Sequence, residues 1–493
     1  MRSSINKDIL KLAIPSILAN ITVPIVGMVD IAVAGHLTGE VATMIGGIAI
    51  GSMLFDLLYW NFGFLRVGTG GLTAQAYGRN DMKECSKILT RAIGVSLAFA
   101  VALIAIQWIF VKAAFMIVDC TPEVRELASK YFFIRIWAAP ATLSLMAFKG
   151  WFIGMQDSVS AMVIDFVVNG MNILMSIVLA LGIPAWALSD GALGISLSAG
   201  ADMTADGTAS GHMWILCPMG FAGIAAGTVV AQYSGLLTAL ALLLAKYVRK
   251  VFADFQFSDL KTVFAGSETR RFFVMNTDLF IRSLCFIAIY IGFTTISAGF
   301  GDLLLAVSSI MMKLLMIFSY FTDGFAYAGE ALTGKYIGAK NQLMVKQTVR
   351  WTFAWSMGIA LIFMAIYHFA GIPMLRVMTS DAAVIEQSRE YLPWLLLMPV
   401  IGCAAFTWDG IYIGATASKE IRNAMLWAVV AFAGVWAAGR LGLDWFGLAG
   451  IQQGTDRYFI ISMHILMAAY FAHLLARTIY LSLKYRRTFG LSA

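Results

Sequence analysis

Long apolar runs recur along the chain, separated by short polar stretches. Read as helices, they fall at 8–36, 43–67, 88–118, 124–154, 158–185, 219–246, 271–299, 302–329, 347–371, 383–413, 419–441 and 458–484. Runs of about 20 residues suit helices that cross a hydrocarbon core of about 30 Å. They are too long and too uniform for barrel strands, which alternate. The pattern predicts an all-α polytopic membrane protein with twelve transmembrane helices. Residues 186–217 break the rhythm with Asp190, Asp202 and Asp206 and neither Lys nor Arg. They read as a solvated loop inserted between helices 5 and 6.

Composition agrees. Of 493 residues, 60% are hydrophobic and only 13% charged, with mean hydropathy +0.80; a soluble chain carries about 25% charge. The net charge of +7 is not a nucleic-acid signal, because the basic residues follow the topology. Arg2, Lys7 and Lys11, the loop with Arg79, Lys83, Lys87 and Arg91, the linker with Lys246, Arg249, Lys250, Lys261, Arg270 and Arg271, and the tail with Arg477, Lys484, Arg486 and Arg487 alternate with sparsely basic loops. By the positive-inside rule both termini are cytoplasmic in a multi-pass inner (plasma) membrane protein. The start, MRSSINKDILKLAIPSILAN, lacks a cleavage pattern and is interrupted by Asp8 and Lys11, so it reads as a lead into helix 1. Five cysteines without a CxxC and five histidines without paired spacing imply no disulfide framework, metal site or organic cofactor. With no nucleophile–base constellation either, an enzyme is not expected.

The halves of the chain repeat. GLTAQAYGRND (71–81) resembles ALTGKYIGAKN (331–341), FIGMQDS (152–158) resembles YIGATAS (412–418), and Tyr131 recurs as Tyr391, each at an offset of 260 positions. Six helices per half keep the two copies parallel, an arrangement of transporters that places a binding cavity between halves near the midplane. The expected division is an N-lobe at 1–245, carrying the outer insertion, a cytoplasmic linker at 246–270, and a C-lobe at 271–493.

The motifs NITVPIVGMVDIAVAGHL (20–37), FLRVGTGGLTAQAYG (64–78), GWFIGMQ (150–156), NTDLFIRS (276–283), DGFAYAGEALTGKYIGAKN (323–341) and DGIYIGAT (409–416) together resemble the multidrug and toxic compound extrusion (MATE) family, in its DinF-like branch. The resemblance implies two pseudo-symmetric six-helix bundles in a V. It implies export of small organic compounds, cationic or amphipathic, by alternating access, with H⁺ or Na⁺ as coupling ion. The expected partners are such substrates and membrane lipids, and the expected state is a monomer. A second reading is a flippase or exporter of a lipid-linked or amphipathic metabolite, as in the wider superfamily.

Charges inside the spans are the candidate chemistry, since they are expensive there. Asp30 matches the family's helix-1 carboxylate and follows Pro15 and Pro24, each of which removes a backbone donor and permits a bend. A carboxyl in a dry helix is easier to hold protonated than ionised, so Asp30 suits a coupling role, preferably with H⁺; the plainer reading is a structural Asp in a polar network. Asp165, Asn169, Asn172 and Ser176 share one face of helix 5, which suits either a partner face for Asp30 or interhelical hydrogen bonding. DinF-like relatives carry a second carboxylate where this chain has Ser176, and Asp165 lies about 16 Å away along the helix. Asp278 and Arg282, at i and i+4 on helix 7, are expected to pair, as a structural pair or part of a C-lobe cation site with Asp409. Lys149 and Asp409 are repeat equivalents; Lys149 can snorkel. Arg66, Lys313, Asp323 and Glu330 read as near the cytoplasm, in a gate or a solvated rim. The acids Asp30, Asp165, Asp278 and Asp409, balanced in part by Lys149 and Arg282, favour cationic cargo.

Overall fold

The computed structural model of the chain describes residues 2–490 apart from 38–39, 117, 119, 185–199, 204–208, 217–218, 253–262, 265 and 446–454. Among the described residues twelve helical spans are long and apolar enough to cross a membrane. They are α1 (Ser4–Gly35), α2 (Thr43–Gly78), α3 (Met82–Ala114), α4 (Pro122–Gly154), α5 (Ser158–Leu181), α6 (Phe221–Lys246), α7 (Ser267–Ala298), α8 (Asp302–Gly338), α9 (Gln342–Met378), α10 (Ala382–Gly414), α11 (Ser418–Leu443) and α12 (Asp456–Thr488). Helices form because a backbone in hydrocarbon must satisfy its own polar groups.

The count and order are as expected from the sequence, but two ends are not. α2 and α8 reach Gly78 and Gly338, well beyond the expected 67 and 329. The stretch GTGGLTAQAYG looks loop-like because it is small and polar. It is helical because it is buried between neighbours, with every residue from Val67 to Ala76 in the interior. α2 breaks at Asn61–Gly63, where the Asn61 side chain caps the Leu57 carbonyl at 2.7 Å. α1 remains one helix through both Pro15 and Pro24.

Four short turns at the end bearing both termini share one geometry. Asn80, Gln156, Lys340 and Thr416 have φ of 58°, 65°, 54° and 53°. In each, the next backbone N–H returns to the helix before it: Asp81 to Ala76, Asp157 to Phe152, Asn341 to Tyr336 and Ala417 to Tyr412. These are left-handed helix caps, and they occur in pairs at the repeat offset of 260. Two of the helices that end in these turns, α2 and α8, pack very closely. A Cβ on Gly78 would lie 2.0 Å from the Lys335 carbonyl oxygen, and one on Gly338 2.2 Å from that of Gln75. Each glycine therefore lets α2 and α8 touch backbone to backbone.

One apolar core is confined to the second half, from Cys285 to Leu474. The other draws on both halves, from Ile5 to Leu481, and welds them at the terminal end. The insertion after α5 falls largely outside the described residues. Its described part corrects the expectation of a loop: β1 (Ile183–Pro184), β2 (Gly200–Met203) and β3 (Ala209–Leu216) form an antiparallel sheet in the order β1-β3-β2. The pairing of Gly200 with Trp214 and Met203 with Ala209 joins consecutive segments, but no clear alternation in the sequence announces it.

Candidate functional site

Two groups of polar side chains stand out inside the bundle. The first surrounds Asp30, which is 7% exposed. Its Oδ1 accepts from Ser176 Oγ at 3.0 Å. Ser176 also lies 3.2 Å from Asn172 Oδ1, and Asn172 donates to Thr228 of α6 at 3.1 Å. Asn169 reaches back to Thr22 of α1 at 2.5 Å. The face predicted on α5 is thus directed at α1 and α6. α6 comes close because it presents Gly227, where a Cβ would meet the Ser176 backbone N at 2.6 Å. Arg135 of α4 acts on Asp30 electrostatically but forms no ion pair with it among the described residues. Arg135 donates instead to Tyr131 at 3.0 Å and lies over Phe55.

Asp165 does not join this group. It pairs with Lys149 at 2.9 Å, so Lys149 is an ion-pair partner rather than a snorkelling cation. Both line a small cavity with Ser16, Asn20, Arg66 and Tyr327.

The second group lines a cavity of ≈350 Å³. Its walls come mostly from α7, α8, α10 and α12, with Trp60, Arg66 and Val67 from α2. Asp409 Oδ2 accepts from both Arg282 at 2.7 Å and Arg477 at 2.5 Å. Arg66 lies 3.6 Å from Glu330, which is fully buried, and over the Tyr327 ring at 4.2 Å. Asp323 lines the same space, which is otherwise apolar and aromatic: Phe286, Tyr290, Met312, Met316, Tyr320 and Phe406.

This geometry corrects several expectations. Asp278 and Arg282 do not pair. Asp278 accepts from Arg422 at 2.6 Å and from Ser418 at 2.8 Å, because α11 packs on that side of α7. Arg477, counted in the basic tail, is 2% exposed in the interior. The signal for it was its place inside an apolar run, seven residues before Lys484. Lys313 is exposed and closer to the start of α8 than to its end, so it belongs to no gate near the termini. With Arg422 and Arg477 counted, Asp165, Asp278 and Asp409 all carry cations, and the argument for purely cationic cargo from unbalanced acids falls away. Arg135, Thr228, Arg422 and Arg477 are the site residues that sequence reasoning missed.

A third set joins the halves at the terminal end. Gln75 donates to the Gly414 carbonyl at 3.0 Å and to Thr416 at 3.1 Å, and Arg271 donates to Gln75 at 2.9 Å and Thr416 at 2.7 Å. Gln156 donates to the Ala331 carbonyl at 2.8 Å. The left-handed positions Gln156 and Thr416 are thus the ones whose side chains cross between halves.

The family model MatE matches the chain twice, at residues 15–178 and 279–435. The chain belongs to the MatE family. The two matches fall one in each half, as the internal repeat requires. DNA damage-inducible protein F of Escherichia coli (strain K12) is 31% identical over 447 residues, covering 90% of this chain and 87% of that protein. The probable multidrug resistance protein NorM of Photorhabdus laumondii is 23% identical over 92% of this chain and 94% of its own length. Among solved structures, an outward-facing multidrug resistance MATE transporter superposes with TM-score 0.77 at 16% identity, covering 99% of this chain and 96% of that one. A MOP superfamily transporter from Pyrococcus furiosus superposes with TM-score 0.76 at 14% identity, over 98% and 96%. MatE family members are transporters of multidrug and toxic compounds, not enzymes, and this chain is a multi-pass membrane transporter of that kind.

Proposed function

We propose that the chain is a secondary active exporter of small amphipathic organic compounds, coupled to H⁺ through Asp30 and working by alternating access. Residues 1–245 and 271–493 serve as the two lobes, 246–270 as their cytoplasmic linker, and both termini lie in the cytoplasm. The observation that carries the coupling assignment is a contrast between Asp30 and the acids of α5, α7 and α10 read as its possible partners or counterparts. Asp165, Asp278 and Asp409 are each held by Lys or Arg, whereas buried Asp30 has Ser176 as its hydrogen-bond partner and no ion pair among the described residues. A carboxylate neutralised by a fixed cation has little reason to take up a proton. One held by a hydroxyl can exist in either state, and the two states favour different hydration of α1. A proton fits better than sodium, because a hydroxyl and an amide supply few hard anionic ligands for a metal ion. Pro15 and Pro24 supply places where α1 bends as the state changes.

The flippase reading calls for a strongly cationic cavity. Here Arg66, Arg282 and Arg477 face Asp323, Glu330 and Asp409, a balanced set that favours a small organic compound over a polyphosphate headgroup. The test is dye efflux from proteoliposomes under separately imposed H⁺ and Na⁺ gradients. Transport driven by the H⁺ gradient alone is expected. Transport that follows Na⁺ at clamped pH would remove the proton from the mechanism.

A further inference from the structure

One carboxylate inside the spans belongs to none of these groups. Asp56 lies in α2, within the apolar run SMLFDLLYW (52–60). It is exposed, and among the described residues it makes neither an ion pair nor a hydrogen bond. An unpaired acid within a span is expensive and marks function by default. Its side of α2 looks toward the second half. Trp60, one turn further along the same face, meets Tyr290 of α7 edge-on with ring centroids 5.5 Å apart. The Asp56 charge reaches Tyr290 and also Tyr320 of α8.

On the first-half side of Asp56 stands Arg135. Gly51 of α2 leaves room for the Tyr131 ring of α4, since a Cβ there would meet Tyr131 Cδ1 at 2.6 Å. Arg135 donates to the Tyr131 hydroxyl at 3.0 Å and lies over the ring of Phe55, the chain neighbour of Asp56, at 4.8 Å. The guanidinium is therefore held against the turn of α2 that carries Asp56, and its charge also reaches Asp30 on α1. Among the described residues Arg135 is the charged group that acts on each of these two acids. The other titratable groups around them are Tyr59 of α2, Tyr131 of α4, Tyr233 of α6, Tyr290 and Tyr320, phenols that are uncharged near neutral pH. Asp323 reaches Tyr320 but does not act on Asp56.

One guanidinium thus serves two carboxylates. With no proton bound the set carries an excess negative charge; with one it is neutral; with two the guanidinium stands uncompensated. Both extremes are costly away from water, and acids that share a cation in this way titrate as a pair. We propose that Asp56 is a second coupling carboxylate and Arg135 its positioning partner: the two acids hold one proton between them, and a proton taken up by Asp56 from the space between the halves leaves the guanidinium to Asp30 and holds Asp30 ionised. This deepens the reading of Asp30 as the proton-coupling group and rests on it. It gives Asp30 a way to respond to the state of the space between the halves, from which its own burial separates it.

The test is an infrared titration of purified protein in lipid nanodiscs, with neither substrate nor gradient. The protonated-carboxyl C=O band that vanishes in Asp30→Asn reports Asp30. In Asp56→Asn the guanidinium is undivided, so the midpoint of that band should move toward acid by at least about half a pH unit; in Arg135→Gln the cation is gone, and the midpoint should move toward alkali by a similar amount. Opposite shifts are a signature that loosened packing, acting alike in both variants, does not produce. Asp56→Glu and Arg135→Lys keep the charges and should stay near wild type. Monodisperse elution screens each variant, and should Arg135→Gln fail to fold, Asp56→Asn at an exposed position decides alone. Midpoints unmoved or moved in the same direction, or an unmoved or alkaline midpoint in Asp56→Asn, overturn the pairing while leaving Asp30 as the coupling group. A wild type with no titrating band that Asp30→Asn removes overturns the coupling role of Asp30, and the pairing with it.

Discussion

Ser176 on α5 donates to Asp30 on α1 at 3.0 Å, with both side chains buried. The hydroxyl can donate to an ionised carboxyl or accept from a protonated one, so it tolerates both states where a second carboxylate would compete for the proton. Asp30→Asn should therefore insert and fold as wild type but lose gradient-driven export, measured as dye efflux from proteoliposomes. Wild-type uphill rates in Asp30→Asn would reduce this group to scaffolding.

The pairing of Asp278 with Arg422 rather than Arg282 is separable by double-mutant cycles. Asp278→Asn with Arg422→Gln should show a coupling of about 0.5–3 kcal/mol in thermal stability, the range for residues in one ion-pair network. Asp278→Asn with Arg282→Gln should be additive within about 0.5 kcal/mol. The reverse pattern would restore the i, i+4 pair.

The left-handed turns give opposite predictions for equal backbones. Glycine relieves a left-handed lysine of about 1 kcal/mol, whereas asparagine already tolerates that conformation, so Lys340→Gly should raise the melting temperature and Asn80→Gly should change it less. Gln156→Gly and Thr416→Gly gain the same relief but cut the bonds to Ala331, Gln75 and Arg271. They should gain less or lose, and should expose the terminal end of α2 and α8 to thiol labelling.

Asp157, in the turn between α4 and α5, gives a pH dependence. Burial works against its charge, but the Ser160 hydroxyl and N–H, the Tyr247 hydroxyl and Lys246 outweigh burial and hold the carboxyl below the usual carboxylate range. A group lowered by folding adds stability that is full above its unfolded value, about 3.9, and is lost as pH falls through the lower folded value. The stability gap between wild type and Asp157→Asn should be widest near neutrality and close in strongly acid solution. A gap that widens on acidification would reverse the sign.

Orientation is open to a direct measurement. Ser198→Cys in a cysteine-free background should react with an impermeant thiol reagent applied from outside intact cells. Reaction only after permeabilisation would invert the topology.

Span number, their parallel repetition and the family followed from the sequence alone, because partition into hydrocarbon sums over local composition and the repeat offset is linear along the chain. The α5 face toward Asp30 was legible for the same reason: 3.6-residue periodicity places Asn172 and Ser176 together whatever they touch. What tertiary structure decided was contact between segments far apart in sequence. Arg282 had two acids within reach, Asp278 on its own helix and Asp409 on α10, and only the packing of α7 against α11, with α10 lining the same cavity as Arg282, assigns it to Asp409 and leaves Asp278 to Arg422. Arg477 looked like part of a basic tail until α12 carried it into the interior. GTGGLTAQAYG looked like a loop until burial against α8 made its glycines the means of close approach. Ion pairs and backbone contacts depend on distance in space, falling off within a few ångströms, and that distance is set by how helices pack rather than by the order of residues along them.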